Sequence, residues 1–271
     1  MRGLQFLWHC RRDSSAEYRC EGGMSISLML ACLTTNKPRP PLLGGAGVGR
    51  AGLLTCIVFY NETWRIQTMI KEIRVYIGTY THGKSEGIYV YRMNPSSGAL
   101  SFASKVAGVD NPSFLDIHPQ QRYLYAVNEV RDFGGKPSGA VSAFSIAPET
   151  GALTYLNRQP SHGTGPCYVS VDGAGEFVLV ANYGGGSLCV LPIQNDGRLG
   201  EATDFVQHQG SSVNPRRQEG PHAHSIILSP DNRYVFAADL GLDKIMIYQL
   251  DVPHGKLTPN DTPWAQIKAG A

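Results

Sequence analysis

Nine consecutive residues concentrate the ionisable chemistry of this chain. Arg216-Arg217-Gln218-Glu219-Gly220-Pro221-His222-Ala223-His224 holds two guanidiniums, one carboxylate and two imidazoles. Histidine titrates near neutral pH, an arginine fork binds anions, and a carboxylate beside an imidazole can orient it or take a proton itself. His222 and His224 are two apart, so in extended chain both rings fall on one face. Such a pair also has metal-ligand spacing, but the sequence shows no third convergent ligand, and neither metal nor cofactor is expected. The plain alternative is structural: one histidine capping a strand beside two solvated arginines. Polar insertions at such junctions more often serve binding.

The elements that must hold this stretch repeat. Phe114-Leu-Asp-Ile-His-Pro to Tyr123-Leu-Tyr-Ala-Val-Asn, Tyr168-Val-Ser-Val-Asp-Gly to Phe177-Val-Leu-Val-Ala-Asn and Ser225-Ile-Ile-Leu-Ser-Pro to Tyr234-Val-Phe-Ala-Ala-Asp align with one another. Their landmarks Asn128, Asn182 and Asp239 recur at intervals of 54 and 57 residues, in the range of β-propeller blades. Turns at Pro95-Ser-Ser-Gly98, Pro148-Glu-Thr-Gly151, Asn195-Asp-Gly197 and Pro253-His-Gly255 join third strands to further β-like segments. No long amphipathic helix pattern interrupts them after Arg74, so the fold is read as all-β. The nine-residue cluster lies where the repeat breaks. The link into the second of these copies is His162-Gly-Thr-Gly-Pro166, whereas the link into the third runs from His208 to His224 and enters an inner strand at one mouth of the channel.

Val75-Tyr-Ile-Gly-Thr79 and Gly87-Ile-Tyr-Val-Tyr91 read as second and third strands with no first strand before them. The chain therefore spells about three complete blades plus part of another, residues 69–271 forming a partial propeller. Residues 1–68 lie outside the repeat: Lys37-Pro-Arg-Pro-Pro and Gly44-Gly-Ala-Gly-Val-Gly break helix and strand alike, and the glycines lack the Lys-Ser/Thr of a phosphate loop. They are read as disordered or as an over-extended start, with Met69 opening the natural polypeptide. Leu30-Ala-Cys32 is a weak match to a lipoprotein cleavage site. The apolar stretches Ile26 to Leu33 and Leu53 to Tyr60 are too short to cross a bilayer.

Charge follows the same division. Lys plus Arg against Asp plus Glu is 8 to 4 in residues 1–70 and 16 to 18 thereafter, which removes the reason to expect nucleic acid. Among the cysteines, Cys167 and Cys189 fall in the repeats without metal or disulfide spacing and are expected as buried thiols in a reducing compartment. With 42% hydrophobic residues over 271, a substantial core is expected.

Tyr76-Ile-Gly-Thr-Tyr-Thr, Ala126-Val-Asn-Glu129, Ala181-Asn-Tyr-Gly-Gly-Gly-Ser187, Gln218-Glu-Gly-Pro-His-Ala-His-Ser225 and Ala238-Asp-Leu-Gly-Leu-Asp-Lys244 together resemble the lactonase family of seven-bladed propellers. The resemblance runs from about Arg74 to about Leu257. That family includes propeller-type 6-phosphogluconolactonases and, more distantly, a lactone-forming muconate enzyme. It implies hydrolysis of a sugar lactone, 6-phospho-D-glucono-1,5-lactone foremost, in the cytoplasm, without nucleic acid, membrane or an obligate protein partner. Opening a lactone needs a base for the attacking water, a donor for the oxyanion and an acid for the departing ring oxygen. His222 or His224 supplies the base, Glu219 orients the imidazole or acts itself, and Arg217, with Arg216, binds the oxyanion or a phosphate. Gln218, Asn182, Tyr183, Tyr80 and Glu129 are ranked as substrate contacts. A cycloisomerase using the same groups and a non-catalytic binding propeller stay open. A seven-bladed ring needs more blades than this chain spells, so the fragment is expected to be inactive alone.

Overall fold

The computed structural model describes residues 73–270, together with the backbone of Leu30–Cys32. The start at Met69 and the remaining expectations for residues 1–68 lie outside the described residues. No helix among the described residues is long and apolar enough to cross a membrane.

Four four-stranded antiparallel sheets follow one another along the chain. The first contains β1 (Leu30–Cys32), β2 (Ile73–Ile77), β3 (Gly87–Met93) and β4 (Leu100–Ala107). The second contains β5 (Leu115–Ile117), β6 (Tyr123–Asn128), β9 (Ala140–Ile146) and β10 (Leu153–Pro160). A small hairpin of β7 (Asp132–Phe133) and β8 (Lys136–Pro137) rises between β6 and β9. The third is β11 (Pro166–Val171), β12 (Phe177–Asn182), β13 (Ser187–Pro192) and β14 (Asp204–Gln207). The fourth is β15 (Ala223–Leu228), β16 (Tyr234–Asp239), β17 (Lys244–Asp251) and β18 (Lys256–Gln266). In each sheet the strands are ordered innermost to outermost, as in the blades of a propeller, and the described residues do not close a ring.

One expectation is corrected here. The first blade, read as lacking its inner strand, receives one from Leu30–Cys32, which pairs antiparallel with β2 so that Leu30 faces Ile77 across the ladder. Without it, the inner edge of β2 would present a row of unpaired N–H and C=O groups.

Alternation along the second and third strands places one apolar face toward each neighbouring blade. Val178, Leu179, Val180, Leu188, Val190 and Leu191 of the third blade are fully buried and join Tyr125, Val141, Ile226 and Val235 in one continuous core. The turns between third and outer strands use glycine because the backbone there is left-handed: φ is 71° at Gly98, 74° at Gly151, 84° at Gly197 and 59° at Gly255. Polar staples then lock blade to blade. The Tyr76 hydroxyl donates to the Gly151 carbonyl at 2.9 Å, and the equivalent Tyr125 hydroxyl to Gly197 at 3.1 Å. His118 meets the Gly175 carbonyl, and Asn232 bridges to Asp172 and Gly173.

Candidate active site

In the second, third and fourth blades the second strand ends on a landmark residue whose side chain ties down the connection entering the blade. Asn128 donates to the Asp110 carbonyl at 2.8 Å, and Asn182 to the Ser161 carbonyl at 3.1 Å. Asp239 takes this position in the fourth blade. Its Oδ1 accepts the main-chain N–H groups of His222 at 2.8 Å, Gly241 at 2.9 Å and Leu242 at 3.2 Å, and its Oδ2 accepts His208 Nδ1–H at 2.6 Å. Four donors on one buried carboxylate compensate its lost hydration. They also hold both ends of the 208–222 connection to one point.

The connection is clamped along its length. The Gln218 amide donates to the Leu240 carbonyl at 2.8 Å while its oxygen accepts Asn214 N–H at 2.9 Å, and Ser212 Oγ donates to Asp243 Oδ2 at 2.6 Å. Gly220-Pro221-His222 runs between the hairpins of two blades, where side chains do not fit. A β-carbon on Gly241 would fall on the Gly220 carbonyl, and one on Gly186 on the Pro221 carbonyl. These contacts explain why Tyr183-Gly-Gly-Gly and Asp239-Leu-Gly accompany Gly-Pro-His in the sequence.

The result is a cluster around one tyrosine. The His222 ring stacks on Tyr183 at 4.6 Å with an interplanar angle of 17°, and the His224 ring meets the same tyrosine edge-on at 5.6 Å. His222 Nδ1 lies 3.0 Å from the Tyr183 carbonyl, which can only accept, so Nδ1 carries the hydrogen. That leaves Nε2 directed at Glu219 Oε1, 3.5 Å away. An imidazole fixed in this way can take a proton on Nε2, and the exposed carboxylate stabilises the imidazolium formed. His222 precedes β15, and His224 sits at a register irregularity between Ala223 and Ser225. The third blade has the same irregularity at Cys167, between Pro166 and Tyr168. Bulges of this kind re-aim side chains at the ends of sheets.

A second group lies on the first two blades. Glu129 Oε2 accepts the Tyr80 hydroxyl at 2.8 Å and the Ser113 hydroxyl at 2.5 Å. Burial, reinforced by the Glu129 carboxylate, pushes the Tyr80 phenol up to about 12, so it remains a neutral donor. Glu129 and Tyr183 follow the landmarks Asn128 and Asn182, and Tyr80 follows Thr79 beyond the second strand of the first blade, so the three belong to the same rim. Cys167 stands between the two groups, its Sγ 3.4 Å from the His224 carbonyl. Burial first and the Glu129 carboxylate second raise its thiol to about 12, which leaves it a poor nucleophile. Cys189 is buried, its thiol likewise raised to about 12 by burial.

Other sequence assignments are redistributed. Gln218 and Asn182, ranked as substrate contacts, are buried, and their amides are engaged by the fold; Asn182 also donates to Ser187 Oγ at 3.2 Å. Arg216 and Arg217 are exposed on the connection, and neither guanidinium has an ion pair or hydrogen bond among the described residues. His208 and Asp239, which clamp the cluster, were legible only as the start of the insertion and a strand-end landmark. Among the described residues no group of three or more His, Cys, Asp or Glu gathers to hold a metal ion.

Comparison with known proteins bears on this arrangement. Residues 74–271 match the family described as lactonase, 7-bladed beta-propeller. The chain belongs to the lactonase family of seven-bladed β-propellers. Its relatives include the 6-phosphogluconolactonase of Bacillus subtilis, 39% identical over 65% of this chain and 48% of that one. Among solved structures, a Bacteroides fragilis protein proposed to be a 6-phosphogluconolactonase superposes with a TM-score of 0.70 at 35% identity, covering 75% of this chain and 57% of its own. A periplasmic gluconolactonase of Pseudomonas aeruginosa superposes with a TM-score of 0.67 at 35% identity, covering 73% and 56%. This lactonase-family chain spans about half the length of the curated relatives it matches.

Proposed function

We propose that the chain forms part of a hydrolase that opens a sugar lactone, with 6-phospho-D-glucono-1,5-lactone as substrate and 6-phosphogluconate as product, in the cytoplasmic pentose phosphate pathway. The observation that carries this reading is the His222 geometry: a ring stacked on Tyr183, held through Nδ1–H, with Nε2 turned to Glu219. Water attacks the lactone carbonyl as His222 Nε2 takes its proton. The C–O bond to the ring oxygen then breaks, and the imidazolium returns the proton to that oxygen. Glu219 stabilises the imidazolium, and His224, edge-on to the same tyrosine, serves as the alternative proton carrier. Arg217 holds the oxyanion or the substrate phosphate, with Arg216 beside it, through donors that no protein group occupies among the described residues. Tyr183, Tyr80 and Glu129 line the rim against sugar hydroxyls. Sugar lactones already hydrolyse unaided, so positioning and one acid–base group suffice.

Residues 69–271, joined by Leu30–Cys32 as the inner strand of the first blade, form the propeller part of this enzyme, and turnover belongs to a ring completed by further blades, since the matched relatives are about twice as long. The name of the periplasmic relative favours a second substrate, unphosphorylated gluconolactone, for which the arginine pair would be dispensable. The test is hydrolysis above the spontaneous rate in a protein carrying the further blades. Replacement of His222 by Ala lowers it by about a hundredfold, the usual weight of a general base. A wild-type rate in that variant would refute the assignment.

A further inference from the structure

The reaction proposed above makes no use of the most deeply buried ionisable pair at the site. His208 opens the long connection, and its side chain is 1% exposed against 0% for Asp239, with Nδ1 2.6 Å from Asp239 Oδ2. Its ring lies parallel to Tyr248, centroids 6.2 Å apart, and its Nε2 has no hydrogen-bond partner among the described residues. Closing a connection does not demand this. The third blade closes its own with the neutral Asn182 donating to the Ser161 carbonyl. Each hub leaves one buried polar atom without a partner among the described residues, Asn182 Oδ1 there and His208 Nε2 here, so what sets this junction apart is that its hub is an ionisable pair.

What the pair does is link two places. The carboxylate that receives His208 on Oδ2 receives the main-chain N–H of His222 on Oδ1. Rotation of that carboxylate displaces the very residue whose Nδ1–H must meet the Tyr183 carbonyl. With Gly241 and Leu242 also donating to Oδ1, the Oδ2 contact distinguishes one carboxylate orientation from another, and among the described residues only His208 makes it. We infer that His208 is a positioning residue: through Asp239 it sets the main chain at His222 and so the aim of the His222 imidazole. This rests on His222 being the working imidazole of the site.

The test uses the 271-residue chain. His208→Leu removes the donor, whereas His208→Asn places an amide N–H where Nδ1–H stood. Three quantities are read: the ring nitrogen resonances of His222, the rate of tryptic cleavage after the exposed Arg216 and Arg217, and the affinity for 6-phosphogluconate. In His208→Leu the His222 resonances move, cleavage accelerates about tenfold and affinity falls about tenfold, the scale of one hydrogen bond to a charged group. His208→Asn restores all three. Wild-type His222 resonances in His208→Leu, or equal losses in both variants while the far-ultraviolet spectrum of the sheets is kept, would overturn the inference. Should His208→Leu fail to fold, His208→Asn alone decides: wild-type resonances and cleavage support the amide as substitute, and displaced ones contradict it. Where the wild-type chain binds no 6-phosphogluconate, the resonances and cleavage alone judge the role of His208, and the proposed function is judged in the protein carrying the further blades.

Discussion

The connections into the third and fourth blades solve the same geometric problem in different ways. Both enter an inner strand opposite a landmark residue, Pro166 against Asn182 and Ala223 against Asp239, and both pass through the same register irregularity one residue later. The shorter, His162 to Gly165, is closed by an uncharged amide giving hydrogen bonds to Ser161 and Ser187. The longer, from His208 to His222, is closed by a carboxylate receiving four. An amide suffices where the chain only has to turn. A charged hub appears where a loop bearing two arginines, a glutamate and histidines has to be held still, because a carboxylate accepts on both oxygens and pulls several N–H groups to one point.

The comparison breaks most sharply if the hubs can be exchanged. Asn182→Asp puts a charge where the surrounding groups ask for a donor, so it is expected to cost about 4 kcal/mol of stability in urea unfolding, as unpaired buried charges do. Asp239→Asn, which keeps the shape and part of the acceptor capacity, is expected to cost about half as much. Equal losses would remove the distinction between the two junctions. A smaller effect concerns the exposed cations that only the long junction carries. Arg217→Ala is expected to weaken 6-phosphogluconate about tenfold, or about 1.4 kcal/mol, and to leave gluconate unchanged. Equal weakening of both ligands would assign Arg217 to the carboxylate rather than the phosphate.

The smallest expected effect lies away from both junctions. Asp116 is half-buried between the second and third blades, where it accepts Val171 N–H at 2.8 Å, and desolvation of its carboxyl raises it to about 6. Its folded-state value exceeds the unfolded one, so between about pH 4 and 6 the folded protein holds a proton that the unfolded chain releases. Stability through this group therefore falls as pH rises across that window. Thermal midpoints of Asp116→Asn are expected to lack this component; an unchanged pH slope would place the titration elsewhere.

Much of this was legible because it is local. The turn glycines, the period-two alternation and the landmarks at Asn128, Asn182 and Asp239 follow from neighbours in sequence, and the structure repeats them blade by blade. The excess length of one junction pointed to the cluster at His222. What the sequence did not show depends on closure in three dimensions. His208 stands 31 positions from Asp239, and only the return of the hairpin joins them. Gln218 looked like a ligand contact because it is polar and lies among charged residues, yet its amide ties Asn214 of the loop to the Leu240 carbonyl in the turn between β16 and β17. Leu30–Cys32 is too short a strand to reveal itself by alternation. Tyr183 was visible as a rim residue, whereas its role as the surface on which both histidines meet was not.

The central claim is that the long junction, and not its short counterpart, meets the ligand. It is tested most directly by titrating 6-phosphogluconate into the chain while following the histidine ring resonances. Saturable shifts are expected at His222 and His224, with none at His162 of the short junction or at His254 on an outer turn. Shifts confined to His162 or His254, or none at any histidine up to saturating ligand, would contradict it.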